Sequence, residues 1–135
     1  MTHEAILRAY VQGASHCGLL DVDLAALGAP WTTDAGQPAT YRQIAQYDER
    51  YLADNEEHLA DLSIPGNVVW GADDEWIPTQ TGRRLADLIP DAGDTEVPGP
   101  GQLIRYDAPV AVSNLVRAWL TEQAGLPTQL KPPPR

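Results

Sequence analysis

Apolar residues recur along this chain first at helical spacing and only later in strand-like runs. After Thr2, a residue suited to capping a helix, Ile6, Leu7, Tyr10 and Val11 form one stripe that predicts a helix to about Gln12, ended by Gly13. Asp21 to Leu27 suits a short helix, after which Gly28-Ala29-Pro30 and Asp34-Ala35-Gly36-Gln37-Pro38 break the chain on either side of Trp31. From Pro38 onward, Tyr41, Ile44 and Ala45 share a face, Tyr47 and Tyr51 continue it, and Arg42, Gln43 and Gln46 lie away from it. A further helix, from about Ala53 to Leu62, turns Leu59 and Leu62 inward and Asn55-Glu56-Glu57 to solvent.

The pattern then changes. Val68-Val69-Trp70 is a short apolar run between Pro65-Gly66 and Gly71, the signature of a buried strand in a parallel sheet. Thr79 to Ile89 follows as a helix with Leu85, Leu88 and Ile89 inward, stopped by Pro90, and Asp94 to Val97 supplies a second strand. Strand, helix and strand of these lengths make a parallel crossover, which brings the loops after Trp70 and Val97 side by side at one sheet edge. Asp107 as cap and Pro109 at the first position open a last helix. Its Val112, Leu115, Val116, Trp119 and Leu120 form a broad apolar face that needs a sheet to cover. From Gly125 on, Leu126-Pro127 and Lys131-Pro132-Pro133-Pro134-Arg135 read as a Pro-rich tail without fixed structure.

Three carboxylates, Asp73, Asp74 and Glu75, lie just past the carboxyl end of the first strand, where open α/β sheets build ligand sites. By themselves they read first as a solvated acidic turn near a helix start. The segment Trp70-Gly71-Ala72-Asp73-Asp74-Glu75-Trp76-Ile77-Pro78 resembles the Trp-Gly-x-x-Asp-x-x-x-Pro stretch that carries the triad acid in α/β-hydrolases. Gly82-Arg83-Arg84-Leu85-Ala86, Val97-Pro98-Gly99-Pro100-Gly101-Gln102-Leu103-Ile104 and Asp107-Ala108-Pro109 follow that family's order of helix, strand, histidine loop and final helix. The resemblance runs from about Tyr41 to Leu120 and is nearest to the haloalkane dehalogenase and epoxide hydrolase branch. It implies an α/β fold: a truncated α/β-hydrolase, in which a helical cap-like segment (1–62) precedes two parallel strands with flanking helices (63–124) and a tail (125–135).

The resemblance assigns the triad acid to Asp74 and aligns Gln102 with the triad histidine. An amide takes up no proton near neutral pH, so Gln102 is not a base. No Gly-x-Ser-x-Gly nucleophile elbow and no His-Gly oxyanion segment occurs in the 135 residues, so the chain reads as the carboxyl-terminal half of a hydrolase. Loss of the base in such a triad costs on the order of a millionfold in kcat. Trp31 and Trp76 are candidate substrate-binding residues, although a large aromatic under a long loop, as at Trp31, is more often a local packing anchor. His16-Cys17 lacks zinc spacing, and adjacent residues rarely face one point, so the pair is not assigned to chemistry. His58 is close to the acid loop in sequence but lies on a helix surface.

A net charge of −10 argues against nucleic acid or an anionic membrane as a partner. The single Cys17 excludes an internal disulfide, the start resembles no signal peptide, and no apolar stretch reaches bilayer-spanning length, which together suggest a cytoplasmic protein. No metal or cofactor motif is present. Three functions remain: a degenerate hydrolase that kept acid and cap, half of a split hydrolase completed by a chain carrying the amino-terminal half, or a module that binds a small apolar ligand or a protein.

Overall fold

The computed structural model describes residues 2–48 and 50–125, with seven α-helices, one 3-10 turn and two strands among them. The tail expected over 125–135 falls, from 126 on, outside the described residues, as does the side chain of Tyr51. Helix α1 spans His3–Gly13 and is capped as its sequence predicts, the Thr2 hydroxyl accepting from the Ala5 N–H at 3.3 Å. Helix α2 (Asp21–Gly28) packs on α1 through Leu24, which is 5% exposed, and runs into the 3-10 turn Ala29–Thr32 that holds Trp31. Helices α3 (Gly36–Ala45) and α4 (Arg50–Leu59) complete the helical segment.

Strands β1 (Gly66–Gly71) and β2 (Ala92–Val97) pair in parallel from Gly66 opposite Ala92 to Gly71 opposite Val97, joined by α5 (Thr79–Leu88). The expected crossover is therefore present. Its packing explains its glycines. A β-carbon on Gly82 would lie 2.6 Å from Cε3 of Trp70, so the α5 backbone rests directly on the indole, and Trp70 Nε1–H donates to the Ile77 carbonyl at 3.2 Å. A short α6 (Ile104–Asp107) leads to α7 (Pro109–Gln123).

Four expectations are corrected. Helix α4 begins at Arg50 and ends at Leu59, ahead of Leu62, because the chain turns at 60 and 61. Leu62, read as inward, is exposed. The apolar stripe of α3 is covered only in part, by His3 and the cavity it shares with α1, so Ile44 is 70% exposed and Tyr41 and Tyr47 are exposed with it. Asp107 does not cap α7. The residue before Pro109 is Ala108, without a side-chain cap bond, and the Asp107 carboxylate is used elsewhere. The α7 face is covered only in part: Val112, Leu115 and Trp119 are half-buried, whereas Val116 is exposed and Leu120 is 54% exposed.

Candidate active site at the carboxyl end of the strands

The loops that leave β1 and β2 are held together backbone to backbone. Ala72 N–H donates to the Val97 carbonyl at 2.9 Å and Asp73 N–H to the Pro100 carbonyl at 3.0 Å. A β-carbon on Gly71 would stand 2.5 Å from the carbonyl oxygens of both Pro100 and Gly101, so only glycine permits this approach. Pro100 is fully buried beneath it. The juxtaposition of the acid loop with the Gly101-Gln102 turn, expected from one crossover, is thus observed.

Within this frame the carboxylates have different jobs. Asp74 Oδ1 accepts from the N–H groups of Trp76 at 2.9 Å and Ile77 at 3.0 Å, an Asx-type turn that fixes the carboxylate against its own loop and leaves Oδ2 without a hydrogen bond among the described residues. Asp73 and Glu75 are placed differently. They line a cavity of about 240 Å³ together with Ser15, His16, Trp76 and Gln102, whereas Asp74 is not in its wall. The Gln102 side chain is exposed and makes no hydrogen bond among the described residues. Trp76 lines this polar cavity and packs on Tyr10 with ring centroids 4.7 Å apart. Trp31 belongs to a separate apolar cavity of about 300 Å³ between α1 and α3, with Ile6, Tyr10, Tyr41 and Ile44. There the His3 ring bridges the Tyr41 hydroxyl at 3.2 Å and the Trp31 carbonyl at 3.1 Å.

Sequence reasoning missed the residue that joins the two halves of the molecule. Asp107 accepts from the Ser15 hydroxyl through Oδ1, and through Oδ2 from the N–H groups of His16 at 2.9 Å and Gly101 at 2.8 Å. Leu103 N–H adds a bond to the Ala14 carbonyl at 3.1 Å. Partial burial pushes the Asp107 carboxyl up, but the Ser15 hydroxyl and the N–H groups of Gly101, His16 and Cys17 outweigh it and hold the group below the usual carboxylate range. The sequence signal was an Asp just before a proline-started helix, which is also what a cap looks like. Only the fold brings Ser15 and His16, some ninety residues away, to that carboxylate. Among the described residues no group of three His, Cys, Asp or Glu side chains is placed to hold a metal ion, and no helix is long and apolar enough to cross a membrane.

An α/β hydrolase fold protein from Burkholderia ambifaria superposes with a TM-score of 0.78 at 44% identity, over 84% of this chain and 42% of its own. The chain carries part of an α/β-hydrolase fold. A serine hydrolase involved in carbazole degradation, the CarC enzyme, shares the fold with a TM-score of 0.71 at 21% identity, over 88% of this chain and 47% of its own. A thermophilic esterase from Thermogutta terrifontis gives 0.50 at 29% identity, over 51% of this chain and 25% of its own. The chain spans less than half the length of each of these structures. No protein-family model and no curated protein matches it.

Proposed function

We propose that this chain is the acid- and cap-bearing, carboxyl-terminal part of an α/β-hydrolase whose ancestral reaction is hydrolysis of an ester, epoxide or carbon–halogen bond. The observation that carries this reading is the Asp74 turn: a carboxylate tied by Oδ1 to two backbone N–H groups and free at Oδ2, beside the loop that bears Gln102. Such an anchored carboxylate orients an imidazole by accepting its N–H. Residues 1–62 serve as the cap, and the Trp-Gly-x-x-Asp-x-x-x-Pro segment supports the haloalkane dehalogenase and epoxide hydrolase branch. A cytoplasmic setting is supported by the single exposed thiol, Cys17.

Nucleophile and oxyanion donors are outside the motifs of this sequence, so the chain alone is inactive. Its activity belongs to an assembly with the strands that pair with β1 and cover α7, whether these come from the same polypeptide or from a second one. The test is hydrolysis of a p-nitrophenyl ester. The purified chain should show none above buffer. Gln102→His combined with the amino-terminal part of the Burkholderia ambifaria protein should give hydrolysis that Asp74→Ala removes. Turnover by the chain alone that Asp74→Ala abolishes would overturn the reading.

A second reading, a small-molecule-binding module, is supported by the apolar cavity at Trp31. It is large enough for a small aromatic or branched aliphatic ligand and is braced by His3. Saturable binding of such a ligand by the chain alone, lost in Trp31→Ala, favours it.

A further inference from the structure

We infer that His16 supplies the imidazole at this site, taking the place of the proton acceptor that Gln102 is not; this rests on the hydrolase reading and changes what that reading predicts for the wild-type residues. Oδ2 of Asp107 accepts from both His16 N–H and Gly101 N–H, so one oxygen locks the segment after α1 against the turn that bears Gln102. The contact is close. A β-carbon on Gly101 would lie 3.2 Å from the His16 β-carbon and 3.1 Å from its nitrogen, so the imidazole springs from a point in contact with the residue before Gln102. His16, Gln102, Asp73, Glu75 and Trp76 line the same cavity. The ring makes no hydrogen bond among the described residues, which leaves both nitrogens available to solvent and ligand. The other two histidines are unsuited: His3 is tied to Tyr41 and Trp31, and His58 sits on α4 and does not line the cavity.

The chemistry follows from the two side chains together. Imidazole exchanges a proton near neutral pH and an amide does not, whereas the Gln102 NH₂ donates hydrogen bonds. For an ester, a water oxygen forms the bond to the acyl carbon while its proton passes to the imidazole nitrogen. Collapse of the tetrahedral adduct breaks the carbon–oxygen bond to the leaving group, which takes the proton back from the imidazolium. The acid and the alcohol are the products, and the imidazole is regenerated neutral.

The test uses the full chain and needs no turnover. In a Cys17→Ser background, phenacyl bromide alkylates a histidine by forming a carbon–nitrogen bond and expelling bromide, and the proton goes to solvent. Peptide mass spectrometry should show His16 labelled faster than His58, with a rate that saturates with reagent and loses its saturation in Trp76→Ala. A His16 rate that is linear in reagent and equal to that of His58, or no labelling of His16, would overturn the inference. In the assembled hydrolase with Gln102 left unchanged, His16→Gln should cut ester hydrolysis by about a hundredfold or more, the usual size of a general-base contribution, and His58→Gln should leave it unchanged. Hydrolysis that survives His16→Gln overturns the inference and spares the hydrolase reading. Saturable labelling without hydrolysis in any assembly sinks the hydrolase reading and leaves the imidazole site.

Discussion

The crossover β1-α5-β2 and the helices α1 to α4 are built on opposite terms. In the crossover, backbone meets side chain and backbone without clearance, as at Gly82 on Trp70 and Gly71 on the Pro100-Gly101 turn. In the helical segment, large apolar side chains such as Ile6, Tyr10, Ile44 and Tyr47 stand exposed, and Leu24 and Ala14 are the buried hydrophobics among its described residues. A sequence whose backbone fits closely against its own neighbours and one that waits for a further surface can show the same hydrophobic periodicity. The difference lies in whether the facing positions are small enough to be filled locally.

The sharpest way to break the comparison is Gly71→Ala. Its new methyl meets two carbonyl oxygens that cannot move independently, and overpacking of this kind should cost about 3 kcal/mol, read as a fall in the urea midpoint. A change of a few tenths would show that the crossover is looser than its geometry implies.

Asp107→Ala attacks the joint between the two regions. Loss of the carboxylate leaves the N–H groups of His16 and Gly101 without their acceptor and should cost about 2 kcal/mol, with faster amide exchange at both positions. The pH dependence has a definite sign. The folded carboxyl is held below its unfolded value, so its contribution is fully present above the unfolded value and is lost as pH falls through the folded one. The difference between wild type and Asp107→Ala should therefore shrink as the solution is taken below the usual carboxylate range. A difference that grows on acidification would contradict the assignment.

His3→Ala is the mildest. It removes the links to Tyr41 and the Trp31 carbonyl inside the exposed segment and should cost about 1 kcal/mol or less, without altering amide exchange in β1 or β2. Slowed or quickened exchange at Val69 or Thr95 would mean that the two regions communicate more than their contacts suggest.

The crossover was legible because each of its parts is local: the apolar run at Val68 to Trp70, the stop at Pro90 and the glycines around the turns all speak within a few residues. Thr2 as a cap was legible for the same reason. The joint was not, since Asp107 before Pro109 satisfies the pattern of a helix cap and nothing near Ser15 or His16 announces a partner across the fold. His16 is illegible in the sequence for the same reason, because its neighbours in space are Gly101 and Gln102 and not its neighbours in the chain. Solvation of the α3 face also escaped the reading, as amphipathic spacing marks a face for burial without supplying what buries it.

The Asp107 joint also fixes an order of events as the chain folds. Strands whose partners lie 26 positions apart, as Gly66 and Ala92 do, find each other across a short loop, whereas Ser15 and Asp107 must close a segment more than three times as long. The crossover can be complete while α1 still swings free. The cavity lined by both His16 and Gln102 then comes into being at the final docking step, and a mutation at the joint takes it away first. Binding at that cavity fails while the circular dichroism of helices and strands is still intact.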